Sequence, residues 1–537
     1  MTNDLMTDNH LDKLNKEEIL NDFKVVCLSR HASLLGRREV FMGKAKFGIF
    51  GDGKELAQVA LAKVFRKGDW RSGYYRDQTW IMAMGLSDLR QFFAQLYAHA
   101  DLNAEPATGG RLMNVHYGSR SVDESGEWLN QLDIFNSTTD MSPTSIQMPR
   151  LLGLAYASKL YKNLRELKPY ATNFSDHGKE VAFGSIGDGA AAEGIFYETI
   201  NAAGVLQVPM VVSVWDDGYA ISVPRELQTT KAEISKALEG FQRNEHEKGI
   251  EIIKVHGWDY EALCNAYKYA AALSREEHVP VLVHVDELTQ PQGHSTSGSH
   301  ERYKSKERLA WESAFDCIVK FKEWLLKNGI ATAEELEEIE NNAKTEVKKA
   351  RDEAWNAFIA AMKPDFEEAV KGISKLAEES DYEVQQAIIK IKEELLKKIN
   401  PIRQDAIIAV KKALRVVRNV DSSAKRYLQH WLEKVYVENN ERYSSHIYSE
   451  SPYSPLKVKE VKAVFDANAQ VVDGREVINA CFDAALKRDP RIFAIGEDVG
   501  KIGDVNQGFA GLQEKYGELR VTDTGIRETT IIGQGIG

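Results

Sequence analysis

Cysteine is scarce in this 537-residue chain: the four present, Cys27, Cys264, Cys317 and Cys481, lie far apart and none belongs to a CxxC pair. That spacing argues against a structural zinc site or a disulfide framework, and it fits a reduced cytoplasm. Basic charge is also short, with 69 Lys and Arg against 80 Asp and Glu and a net charge of -11. Such a surface repels phosphate backbones and anionic lipid, so nucleic acid and membrane are not expected as partners. Any anionic ligand needs a local device: a helix N-terminus, a metal ion or a few aimed basic side chains. Long apolar runs are missing as well. The opening MTNDLMTDNHLDKLNKEEIL has no basic start followed by an apolar core, which excludes an export signal of the usual kind, and nothing in the chain has membrane-spanning length.

What is present is a large globular chain. Its length corresponds to roughly three domains of about 150 residues, and 43% hydrophobic residues suffice for sizeable cores. From about residue 10 to 100 the apolar residues recur at helical spacing, interrupted by glycine-rich turns such as KFGIFGDGKE and KGDWRSGYYRDQ. Between about 180 and 290 short branched runs (EVAFGSI, VPMVVSVW, GIEIIKVH, VPVLVHVDEL) alternate with helix-like stretches, the mark of βαβ units and a parallel sheet. Residues 316 to 445 read as a charged helical extension and 446 to 471 as a linker or surface strap rich in Ser, Tyr and Pro. From 472 a helix and a strand open a second α/β domain, which looks unfinished at Gly537.

Ligands of open parallel sheets bind beyond the carboxyl ends of the strands, where helix N-termini converge and loops vary freely. Four successive loops qualify: GDG at Gly187, Asp188 and Gly189; WDDGY at 215 to 219; HGWDY; and TQPQGHSTSGSH. Asp188 and Asp217 therefore meet at one sheet edge although distant in sequence. Two such carboxylates raise each other's pKa unless a cation neutralises them, and magnesium, which takes carboxylate and phosphate oxygens, is the natural partner. Flanking glycines admit a diphosphate, and a helix beginning at Ala190 points its free N–H groups at it. Either motif alone reads as an ordinary turn; both on one edge of a βαβ unit outweigh that reading.

GDG, twenty-six residues, then a polar pair resembles the thiamine diphosphate signature, whose usual ending is Asn-Asn. GDGAAAEGIFYETINAAG, DDGYAISVP and GHSTS resemble the alpha subunit of the decarboxylating first component of 2-oxo acid dehydrogenase complexes, especially the branched-chain type, over about residues 20 to 315. From about 472, IFAIGEDVG and RVTDTGIRE resemble the opening of the beta subunit. The resemblance implies an alpha–beta fusion with a thiamine-diphosphate-binding fold: an alpha-like diphosphate domain (1–315) with a parallel sheet flanked by helices, the helical extension, the linker, and the start of a pyrimidine-binding beta-like domain (472–537).

By the same resemblance, Asp188 and Asp217 bind magnesium with the Tyr219 carbonyl, and Asp217 stands in place of the usual Asn. Trp215 stands where some branched-chain members carry arginine. Tyr75 and Arg76 match a pair that reaches the cofactor, a guanidinium being well shaped for bidentate phosphate contact. Ser142 and Thr144 match the loop that holds the cofactor rings, whereas Met141 and Ile146 put a monovalent-cation site there in doubt. His294 matches a loop histidine that contacts the 2-oxo acid and assists proton transfer, a role suited to a group titrating near neutral pH. Ser295 lies where mitochondrial members are phosphorylated. Glu528 matches the glutamate that contacts the aminopyrimidine ring, and Glu198 is a weaker candidate for a proton relay between paired sites. The implied activity is oxidative decarboxylation of a 2-oxo acid such as 2-oxoisovalerate, with acyl transfer to a lipoyl-bearing acyltransferase component and at least a homodimer as the working unit. Pyruvate as substrate, another thiamine enzyme such as a transketolase, or a catalytically silent binding fragment are the alternatives.

Overall fold

The computed structural model describes residues 15–445 and 447–537. Residues 1–14, which carry most of the N-terminal segment tested for an export signal, and His446, first residue of the expected linker, lie outside the described residues.

The strands are β1 (Trp70–Ser72), β2 (Asn136–Ser137), β3 (Ala182–Gly187), β4 (Met210–Trp215), the two-residue partners β5 (Tyr219–Ala220) and β6 (Val223–Pro224), β7 (Glu251–His256) and β8 (Val281–Asp286). Six of them form one parallel sheet in the order β2-β1-β3-β4-β8-β7. Its central strands are apolar and β-branched, and every residue of β4 and β8 is buried, as expected where helices cover both faces. The period of two divides them between faces. Phe183, Val211 and Val283 enter a core shared with helices Lys16–Phe41, Glu55–Ala62 and Tyr260–Glu277. Ala182, Val212 and Leu282 enter a second core with helices Gln147–Asn163 and Gly194–Leu206. The α/β reading is thus correct, with one addition: β1 and β2 lie in stretches that carry no strand pattern, and Arg71 of β1 is fully buried against Asp77 and Asp140 at 2.7 and 2.9 Å.

The helical extension is not a separate body. Helix Ala333–Glu378, opened by a capping box on Thr332, packs Ala343, Val347 and Phe358 into the first sheet core. Beyond Pro364 the same helix turns Ala369, Ile373 and Leu376 into a smaller bundle with helices Tyr382–Leu396, Arg403–Val416 and Ser423–Ser444. The expected boundary at 315 therefore falls inside a continuous core, because Cys317, Phe321 and Leu325 pack there too.

The expected strap leaves the bundle where Arg111 donates to the Arg442 carbonyl and the Ser445 hydroxyl, both at 2.9 Å. It is held again by Tyr453 to Glu127 at 2.6 Å, and from Val458 to Val471 it is exposed and belongs to no helix or strand. The C-terminal unit follows: helix Gly474–Arg488, the parallel pair β9 (Ala494–Gly496) and β10 (Val521–Asp523), and helix Glu528–Ile536. That last helix lies directly on helix Gln147–Asn163. Its glycine pattern permits the approach: a methyl group on Gly533 would overlap Pro149, and one on Gly153 would lie 2.7 Å from Gly537 Cα. No helix among the described residues is long and apolar enough to cross a membrane.

Candidate functional site

A cavity of about 400 Å³ opens beyond the carboxyl ends of β3 and β4. Its lining includes Tyr75, Arg76, Ser142, Thr144, Gly187, Asp188, Gly189, Ala190, Asp217, Tyr219 and His294. The parallel register that pairs Gly187 with Trp215 puts Asp188 and Asp217 on adjacent strand ends. Close packing shapes the floor: a methyl group on Gly189 would lie 3.0 Å from Ala220 Cα, so this position has room only for glycine beside the β5 turn.

The two carboxylates differ. Burial, then repulsion from Asp217 and Asp216, pushes Asp188 well above the usual carboxylate range. Its Oδ2 is buried with no hydrogen-bond partner among the described residues. Burial also pushes Asp217 up, but the charges of Lys54, Lys304 and Arg76 outweigh it and hold that carboxyl below its ordinary value. Lys54 Nζ donates to Asp217 Oδ2 at 2.8 Å, and the Tyr219 N–H donates to Asp217 Oδ1 at 3.3 Å. An unpartnered buried carboxylate oxygen beside an ionised one is a donor set suited to a hard cation. No group of three or more His, Cys, Asp or Glu among the described residues could hold a metal by itself, so such a cation would take its remaining oxygens from a carbonyl, a ligand or solvent.

Other members of the cavity wall have local partners. Ser142 Oγ and His116 Nε2 share a hydrogen bond at 3.1 Å, and Thr144 donates to Glu193 at 3.0 Å. Arg76 is buried, and its terminal nitrogens are engaged by Phe50 O at 2.7 Å and by His294 Nδ1 and O at 2.9 and 3.0 Å. The guanidinium thus fixes the histidine while itself lining the cavity. Burial, then the Arg76 charge, pushes His294 down to about 4, so it is neutral at physiological pH, not titrating there as its sequence context suggested. Since arginine only donates, Nδ1 accepts and the proton resides on Nε2. The helix expected at Ala190 begins later: Ala190–Ala192 form one 3-10 turn and the α-helix starts at Gly194.

Glu528 lies elsewhere. It is exposed at the first residue of the last helix and does not line the cavity. Glu198 faces the same C-terminal unit, accepting from Thr530 Oγ1 at 2.7 Å. Ser295 is nearly buried and its hydroxyl pairs with Ser297 at 2.7 Å. Sequence reasoning missed Lys54 and Gln290. The available signal was the second aspartate of WDDGY, an extra negative charge that calls for a cation nearby.

Comparison with known proteins decides the family. Residues 27–363 match the Dehydrogenase E1 component family, and residues 470–537 match the family described as Transketolase, pyrimidine binding domain. The chain belongs to the dehydrogenase E1 component family. Among curated E1 relatives, the 2-oxoisovalerate dehydrogenase subunit alpha of Bacillus subtilis (strain 168) is 27% identical over 355 residues, which is 65% of this chain and 94% of that protein. The mitochondrial 2-oxoisovalerate dehydrogenase subunit alpha 1 of Arabidopsis thaliana is 26% identical over 57% of each chain. The Pyruvate dehydrogenase E1 component subunit alpha of Rickettsia prowazekii (strain Madrid E) is 26% identical over 64% of this chain and 94% of that protein. An E1 segment followed by a pyrimidine-binding segment in one chain accords with a fused alpha–beta arrangement, and the two families together imply thiamine diphosphate as the cofactor type.

Proposed function

We propose that this chain is the thiamine-diphosphate-dependent, decarboxylating component of a 2-oxo acid dehydrogenase complex, acting on a branched-chain substrate such as 2-oxoisovalerate and passing the acyl group to a lipoyl-bearing acyltransferase. The observation that carries the reading is the cavity itself, where Asp188 with its unpartnered Oδ2, Asp217, Tyr219, Ser142 and Thr144 converge from separate loops. Asp188, Asp217 and the Tyr219 carbonyl would hold magnesium, and Gly187, Gly189 and Ala190 give the backbone access to a diphosphate. The electron sink for loss of carbon dioxide is supplied by the bound cofactor.

The residues of the chain bind and orient. Arg76 holds His294 with its proton on Nε2, ready to donate to an oxygen of the 2-oxo acid. Tyr75 packs beside Arg76, its ring 5.3 Å from the guanidinium. Glu528, outside this cavity, would serve the pyrimidine end of a site completed by a second copy, which makes a homodimer the smallest working unit. Free thiols at Cys27, Cys264, Cys317 and Cys481 support a reduced, cytoplasmic setting.

The test is thermal stabilisation by magnesium and thiamine diphosphate, compared between the wild type and Asp188→Ala, with decarboxylation followed by an artificial electron acceptor. The wild type is expected to shift upward at saturating cofactor and the variant to remain unmoved. Absence of a shift in the wild type would sink the reading, and a shift without turnover would favour a binding fragment. A second reading, pyruvate as substrate, is supported by the similarity to the Rickettsia protein; turnover of 2-oxoisovalerate against pyruvate separates the two.

A further inference from the structure

Lys54 is among the largest fully buried side chains of the molecule. It precedes helix Glu55–Ala62, and its ammonium donates to three acceptors: Asp217 Oδ2 at 2.8 Å, Gln290 Oε1 at 2.7 Å and Thr289 O at 3.0 Å. All three lysine protons are therefore spent. The contacts tie together the start of helix Glu55–Ala62, the loop after β4 and the loop after β8, which also carries His294. Because lysine cannot accept, the Gln290 oxygen must face it. The Gln290 amide nitrogen is left buried, without a partner among the described residues, on a side chain that lines the cavity.

We propose that Lys54 is the positioning residue that allows an aspartate to stand at 217, cancelling its charge and turning the Gln290 amide so that Nε2 is offered to an anionic phosphate oxygen. The inference rests on the proposed cofactor site. Asp188 and Asp217 together bring two negative charges, and Lys54 reduces them to one. A divalent cation then leaves the site positive toward a diphosphate. Without Lys54 its share of the compensation and the amide orientation are both lost, leaving Lys304 and Arg76 as the remaining cations acting on Asp217. An asparagine at 217 would need no such partner.

The pairing is tested in the full chain with Lys54→Gln, Asp217→Asn and the double variant. Each is measured for cofactor-free unfolding and for the affinity of magnesium–thiamine diphosphate, followed through tryptophan fluorescence since Trp215 lines the cavity. Lys54→Gln is expected to lose about tenfold or more in affinity, and each single variant to unfold earlier without cofactor. The double variant should regain most of both. Single effects that simply add in the double variant, in a wild type that binds the cofactor, overturn the pairing and leave the proposed function standing. A wild type that shows no saturable binding overturns the proposed function and the inference with it.

Discussion

Gly533 and Gly535 sit two residues apart on helix Glu528–Ile536, and alanine at each should act in opposite directions. At Gly533 the new methyl group would overlap Pro149 Cβ and stand 3.0 Å from the Pro149 carbonyl carbon, where ordinary carbon contact needs about 3.5 to 4.0 Å. The last helix and helix Gln147–Asn163 must then separate. Such overpacking costs about 1–3 kcal/mol, against which alanine returns at most about 1 kcal/mol of helix preference. At Gly535 no atom lies within 4 Å of the added group, so only the favourable term remains. Native-state proteolysis of the C-terminal unit reads the difference, since cleavage follows the population of the opened form when reclosing is fast. Gly533→Ala is expected to raise the cleavage rate by up to about thirtyfold, and Gly535→Ala to leave it unchanged or lower it. Equal rates for the two variants would refute the glycine-mediated docking.

Arg71→Met strands Asp77 and Asp140 in the core, so unfolding by urea should reveal a loss of about 3–5 kcal/mol; the loss should shrink in acid, where Asp77, pushed up by burial, takes up a proton. His278 is pushed by burial from its ordinary 6.5 down to about 4, so the unfolded chain binds the extra proton between those values. Stability from this group is present above about 6.5 and is lost as pH falls toward 4; His278→Asn, which tolerates the φ of 59° at this helix end, should flatten that part of the stability–pH curve. A maleimide probe should label exposed Cys481 in the native chain, while burial pushes Cys27 and Cys264 up to about 12 and raises Cys317 further from reactivity. Rapid labelling of more than one thiol would contradict the packing around the first core.

The central sheet was legible because β3, β4, β7 and β8 are apolar runs separated by helix-length segments, and that pattern alone brings Asp188 beside Asp217. Strands β1 and β2 escaped notice because they are three and two residues long and carry polar side chains. Arg71 belongs there only because Asp77, six residues on, and Asp140, 69 residues on, are waiting for its charge. The same physics hid Lys54, an apparently ordinary lysine after a glycine-rich turn whose partners come from residues 217, 289 and 290. The long helix misled in another way. Its charge marks a solvated face, but the stripe through Ala343, Val347 and Phe358 belongs to the sheet core, so a compositional boundary is not a packing boundary. His294 could be located by motif, yet its protonation depends first on burial and then on Arg76, neither of which a local pattern specifies.

The exposed strap from Val458 to Val471 changes the molecularity of assembly. Because it joins the two α/β units covalently, the docking of the last helix on helix Gln147–Asn163 is a first-order event that dilution does not reverse. A covalent tether holds its ends at an effective concentration that reaches the millimolar range when it is short. Dilution therefore separates only contacts made between different copies of the chain and leaves this docking intact.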